Sequence, residues 1–143
     1  MTQLELFAKE MAREGNTTRK MLAIVPTDKF DWKPHPRSMS LRQLTAHIAE
    51  LPEWAGMVLH TDELDFATMD YKPTHFDTTS QLMEIFEKNI ADGVQQLSNG
   101  DVSTLQQPWT LRSGDQIYST EPKADVIRMS FSQIIHHRAQ LGV

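Results

Sequence analysis

The sequence predicts an all-α fold, a four-helix bundle with long loops, in which a short hairpin can precede the last helix. Four stretches repeat apolar residues at steps of three and four, as amphipathic helices do. The segments between them carry the prolines and turn-forming clusters, and little of the chain shows the two-residue alternation of strands. With 143 residues, the chain has the length of one ordinary domain, so we expect residues 1–143 to form a single domain.

The first helix is predicted to run to about Val25, just before Pro26. Its stripe of small and apolar residues consists of Leu4, Ala8, Met11, Gly15, Thr18, Leu22 and Val25. The following stretch, "PTDKFDWKPHPRSMS", carries three prolines and is predicted to be a loop, because proline removes a backbone donor and makes the preceding residue extended. We expect Phe30 and Trp32 to anchor this loop.

A second helix is predicted to begin at Ser40, which forms a capping box with Gln43. Its apolar face is formed by Leu41, Leu44, Ile48, Leu51, Ala55 and Val58. Pro52 lies inside this run and should kink the helix about one turn after His47.

The second half of the chain predicts two more helices. Residues 61–78 have no helical period and are predicted to be a long connection, and the third helix then runs from about Ser80 to Asn99. The turn-forming cluster "RSGD" between "QPWTL" and "QIYS" suggests the short hairpin. The last helix is predicted to be capped by Thr120 or Glu121, with Pro122 in its first turn, and to continue to the end.

Composition excludes several classes of function. The net charge is −5, and Lys and Arg are scattered, so we expect no nucleic-acid partner. No stretch has the roughly 20 apolar residues of a membrane span, and the first residues do not resemble a signal peptide. We therefore expect a cytoplasmic protein. Without cysteine the chain can form no disulfide and no thiolate metal site.

Histidine spacing suggests a metal site on two helices. Gln133 and His137 are four residues apart in the last helix and can reach one ion from adjacent turns. His136 points about 100° away from His137 and is expected to be interfacial, solvated or a supporting residue rather than a ligand. His47 shares the core-facing side of the second helix. The pattern alone favours a core histidine bonded to a carbonyl or carboxylate, with metal ligation as the alternative.

The stretches "FDWKPHPRSMSLRQLTAHIAELPEW" and "IIHHRAQL" together resemble the DinB/YfiT-like family of four-helix-bundle metalloenzymes over essentially the whole chain. The resemblance implies a divalent ion, zinc or nickel, held by three histidines, and the matching positions are His47, Gln133 and His137. Gln133 departs from the family pattern, and a neutral amide is a poorer ligand than imidazole for such ions. Family members also usually continue past "HHRAQLGV", so the chain is either truncated or lacks a segment that covers the end of the bundle.

The resemblance implies enzymes that use low-molecular-weight thiols such as mycothiol, bacillithiol or glutathione. The first hypothesis is therefore a metal-dependent thiol S-transferase in stress or detoxification, acting on a small-molecule substrate. A second is a non-catalytic, stress-associated binding bundle, a homodimer with a degenerate metal site, and a third is a metal-dependent hydrolase. Arg138 either contacts an anionic substrate or, as we expect, serves in helix packing or a surface ion pair. Glu50 and Gln43 lie one turn from His47 and either orient its ring or are ordinary surface residues.

Overall fold

Five α-helices and a small sheet make up the structure, a computed structural model that describes residues 1–143. The helices are α1 (Gln3–Ala23), α2 (Leu41–Glu50), α3 (Glu53–His60), α4 (Thr79–Asn99) and α5 (Lys123–Gly142). The strands are β1 (Glu63–Asp65), β2 (Pro108–Ser113) and β3 (Gln116–Pro122). The all-α prediction is correct in its predominantly helical character, but the four-helix bundle is not confirmed, because there are five helices and a three-stranded sheet of which only the hairpin was predicted. None of the helices combines the length and apolar character that crossing a bilayer requires.

The helices surround a core in which α4 and α5 each contact α1, α2 and α3. Residues on the predicted stripes fill it, with Met11, Leu22, Phe86 and Leu97 fully or almost fully buried. Helix α1 begins with a capping box in which Thr2 accepts from the backbone of Glu5 and the Glu5 carboxylate accepts in return. This packing brings one side of α2 against α5.

Pro52 divides the predicted second helix into two. The Leu51 N–H still donates to the carbonyl of His47 over 3.1 Å, but Pro52 has no N–H to continue the ladder. Helix α3 therefore starts afresh at Glu53, so the predicted kink is a break between α2 and α3. The capping box that starts α2 is confirmed, because Gln43 N–H donates to the Ser40 hydroxyl and Ser40 N–H to the Gln43 amide oxygen.

The suggested hairpin is confirmed and belongs to a larger sheet. Strands β2 and β3 are antiparallel and joined by a two-residue turn, in which Gly114 has φ +57°. A glycine with positive φ at the first turn position is typical of tight hairpins. Strand β1, within the stretch predicted to be a featureless connection, pairs with β2 in parallel. Three residues are too few to show a period in the sequence, which is why β1 was not predicted.

The predicted cap of the last helix is wrong. Thr120 and Glu121 lie in β3, and Pro122 occupies the cap position without a side-chain hydrogen bond. Instead, the first backbone donors of α5 find carbonyls elsewhere: Lys123 N–H donates to Gln107 and Ala124 N–H to Leu105, each over 2.9 Å. Tertiary contacts thus replace the local cap.

The proline-rich loop between α1 and α2 is anchored by only one of its two predicted aromatics. Phe30 is buried and meets Phe76 edge-on, with ring centroids 5.1 Å apart. Arg42 stacks over both rings and donates to the Phe76 carbonyl. Trp32 leaves 56% of its surface exposed, so the prediction that it anchors the loop is wrong.

Candidate functional site

His47 of α2 and His137 of α5 lie side by side. Their ring centroids are 4.6 Å apart, with the rings inclined at 78°. Both residues are half-buried, at the place where α2 packs against α5. Two of the three positions implied by the family resemblance therefore come together, although 90 residues separate them in the chain.

A hydrogen bond joins His137 to Gln140. Its Nδ1 lies 2.7 Å from the amide oxygen of Gln140, and because a carbonyl oxygen only accepts, this contact favours the tautomer with the ring proton on Nδ1. In that tautomer Nε2 carries the lone pair, which is the arrangement in which histidine binds a metal while its other nitrogen is held. Sequence reasoning did not assign this role to Gln140, although its spacing of three residues from His137 is a usable signal.

The ring of His47 has no hydrogen-bond partner in the protein. No buried side-chain nitrogen or oxygen is left without a partner, so the ring nitrogens of His47 are reachable from solvent. The interpretation that the pattern alone favoured, a core histidine bonded to a carbonyl or carboxylate, does not fit this geometry.

Electrostatics keep His47 neutral. Burial lowers the pKa of the His47 imidazole below its ordinary value of 6.5, and the neighbouring His137 lowers it further, while Glu50 opposes both. Neutral imidazole is the form that binds metal ions. At neutral pH the His47 ring is therefore uncharged.

Glu50 ties the long connection after α3 to this side of α2. Its carboxylate accepts from the Tyr71 hydroxyl at 2.9 Å and from the Thr74 hydroxyl at 2.7 Å. Partial burial and this carboxylate raise the pKa of the Tyr71 phenol above its ordinary value of 10.0. Glu50 thus anchors the connection one turn from His47. Gln43 has its amide oxygen engaged in the capping box.

Gln133 lies one turn before His137 on α5, with an exposed side chain, and His136 is exposed as well. No three His, Cys, Asp or Glu side chains are grouped so that they could hold a metal ion. Two of the three implied ligands nevertheless fit. Zinc binds histidine nitrogen at ~2.0–2.1 Å, so two imidazoles that share one ion must be neighbours, as His47 and His137 are. The third donor could only be a weaker one, such as the amide oxygen of Gln133.

Arg138 connects α5 to α1 through an ion pair, as predicted, but the pair is largely buried and not at the surface. Its guanidinium donates to the Glu14 carboxylate at 2.8 Å and to the Thr18 hydroxyl at 3.1 Å. Both members of the ion pair are largely buried, with 15% and 16% of their side chains exposed. Arg138 thereby holds the turn that carries His137 in place.

The model of the DinB family matches residues 1–143. No curated protein sequence matches the chain.

Similar solved structures include a DinB-like protein from Bacillus subtilis, with 16% identity and a TM-score of 0.72, over 95% of this chain and 86% of that one. A DinB-like protein from Bacillus cereus has 17% identity and a TM-score of 0.70 over the same shares. A mycothiol-dependent maleylpyruvate isomerase has 14% identity and a TM-score of 0.69, over all of this chain and 64% of the isomerase. At these identities, the similarity shows a shared fold.

Proposed function

The chain belongs to the DinB family, and we propose that it is a metal-dependent enzyme that acts on a small electrophilic substrate with a low-molecular-weight thiol. The enzyme either transfers the thiol to the substrate or uses the thiol to isomerise it. The observation that carries the proposal is the contact between His47 and His137, whose ring centroids are 4.6 Å apart. The fold shared with a mycothiol-dependent isomerase supports the thiol part of the proposal.

In this proposal, His47 and His137 hold a divalent ion, zinc or nickel, with Gln133 as a weak third donor. When bound, such an ion lowers the pKa of a thiol or water and polarises a substrate oxygen. The contact of Gln140 with Nδ1 of His137 supports this arrangement, because it leaves Nε2 as the nitrogen that would bind the ion. The lowered pKa of His47 keeps its ring available as a neutral donor.

Gln133 favours a second candidate function, a non-catalytic binding bundle whose metal site is degenerate. An exposed amide in place of the third imidazole leaves the ion with one strong ligand fewer. In this alternative, the chain serves as a stress-associated homodimer. The two candidates differ in whether the purified protein holds a metal ion.

Elemental analysis of untagged protein, prepared without chelator, tests the proposal. We expect about one zinc or nickel per chain, as a single-ion site requires, and loss of the metal in His137→Ala. His136→Ala is the matched control, because this exposed neighbour lies outside the pair and its removal should leave the metal content unchanged. Gln133→His should hold the ion more tightly, since it restores a third imidazole.

The outcome separates the candidates. If neither the wild type nor Gln133→His takes up zinc or nickel when the ion is supplied, the enzyme proposal fails and the binding bundle stands. If metal is bound, turnover of an electrophile that requires mycothiol, bacillithiol or glutathione supports the transferase. Metal-dependent turnover without thiol would indicate the hydrolase instead.

A further inference from the structure

A cleft of about 410 Å³ lies between the proline-rich loop with the start of α2 and the last turn of α5. Small-molecule sites typically enclose ~300–1,000 Å³, so this cleft has the size of a ligand pocket. Its walls include Trp32, Met39, Leu41, Leu44, Gln140 and Leu141. No charged side chain lines it.

The cleft lies about one helical turn from the histidine pair, and neither histidine lines it. Leu44 precedes His47 by three residues, and Leu141 follows His137 by four, spacings that place each pair on one face of its helix with Cβ atoms ~5–6 Å apart. Gln140 belongs to both features, because it lines the cleft and holds Nδ1 of His137. A molecule in the cleft would therefore have one end close to the two rings.

The chemistry of the walls defines what the cleft can bind. Trp32 is 56% exposed and Met39 is 41% exposed, so apolar surface that a ligand could cover now faces water. Covering such surface is favourable, and an indole ring packs well against a flat aromatic ligand. An anionic ligand would lose hydration here without meeting a positively charged side chain, so the walls favour an uncharged, apolar molecule.

We propose that this cleft binds the electrophilic substrate, an uncharged and largely apolar molecule of aromatic-ring size, with its reactive end toward His47 and His137. The assignment of the ligand as substrate rests on the function proposed above. The binding of a neutral aromatic molecule in the cleft is independent of that function, and it can be measured on protein freed of metal.

The test is calorimetric titration of chelator-treated protein with 2-naphthol, a neutral aromatic probe. The wild type should show saturable binding, and Met39→Asp should weaken it about tenfold or more, equivalent to about 1.4 kcal/mol. Met69→Asp is the matched control: Met69 is also a loop methionine, is 38% exposed and lies outside the cleft. Its affinity should stay within about twofold of the wild type, while circular dichroism confirms the fold of both variants.

Absence of saturable binding to folded wild-type protein would overturn the proposal, as would equal affinity in Met39→Asp and wild type. Because the titration uses metal-free protein, either of these results would leave the proposed metal site untouched. Conversely, if elemental analysis finds no metal, binding of 2-naphthol can still be measured. In the thiol assay, 2-naphthol should compete with the electrophile, and Met39→Asp should raise KM while kcat stays unchanged. Inhibition that excess electrophile does not relieve would overturn the assignment as substrate site.

Discussion

Replacing Gly93 with alanine should destabilise the fold, because α4 passes very close to the break between α2 and α3. A Cβ at Gly93 would lie 2.8 Å from the carbonyl oxygen of Pro52 and 2.6 Å from the sulfur of Met11. Both distances are shorter than a real Cβ contact allows. The carbonyl oxygen belongs to the backbone, and Met11 is completely buried, so neither can move aside freely.

Two opposing effects determine the magnitude. Alanine gains about 1 kcal/mol over glycine in a helix interior. Overpacking of a well-packed core costs about 1–3 kcal/mol. The clash at Gly93 involves both a backbone atom and a buried side chain, so we expect its cost to be about 3 kcal/mol. The net loss should therefore be about 2 kcal/mol, which lowers Tm by roughly 4–8 °C in a protein of this size.

Urea denaturation of the wild type, Gly93→Ala and Gly56→Ala measures this difference. Gly56→Ala is the matched control, because a Cβ there meets the side chain of Gln96 at 3.0 Å, and that side chain is flexible and partly exposed. The control gains the same helix propensity and should unfold at the same urea concentration as the wild type or higher. If Gly93→Ala proves as stable as the control, α4 does not approach Pro52 as closely as described.

Three further outcomes follow from the site and its supports. Arg138→Met should lower the free energy of unfolding by about 2 kcal/mol in urea titrations, because it leaves the largely buried carboxylate of Glu14 with only Arg13, whose guanidinium lies 3.9 Å away. Arg138→Lys should recover part of that loss. Gln140→Leu should weaken metal binding about 10–100-fold in competition with a chromogenic chelator, because His137 loses the group that fixes its tautomer, and an unchanged affinity would contradict that role. In metal-free protein, stability should fall as pH drops below the ordinary histidine value of 6.5, because the lowered pKa of His47 means that the unfolded state binds the proton more readily; His47→Gln should flatten this dependence, and equal slopes would refute it.

Local signals in the sequence predicted the helices whose ends are capped by their own residues. The Ser40 and Gln43 capping box starts α2 as expected, and α1 and α4 follow their apolar stripes within a few residues. The start of α5 was missed because its first donors are satisfied by carbonyls of Leu105 and Gln107, which precede it by more than a dozen residues. Satisfaction of a helix end by tertiary contact leaves no local pattern to detect.

The candidate site was also predictable only where local spacing in the sequence carries the information. Spacing and the family resemblance led to His47 and His137, and the structure brings their rings together. The anchoring of Glu50 by Tyr71 and Thr74 was not predictable, because it joins α2 to a connection without any periodic pattern. The cleft also escaped notice, since its walls come from a proline-rich loop and the far end of the chain.

The geometry of the histidine pair bears on whether a glutamine at position 133 abolishes metal binding or only weakens it. A histidine kept only for packing would have its nitrogens bonded to protein groups, because a buried polar atom without a partner is costly. His137 satisfies one nitrogen through Gln140, whereas His47 has no protein partner and is reachable from solvent. The two rings lie edge-on to each other, and only Nδ1 of His137 is bonded to a protein group. In the proposed metal site, Gln133 in place of a third imidazole leaves these two imidazole donors unchanged, so Gln133→His should separate a weak metal centre from one that binds no metal.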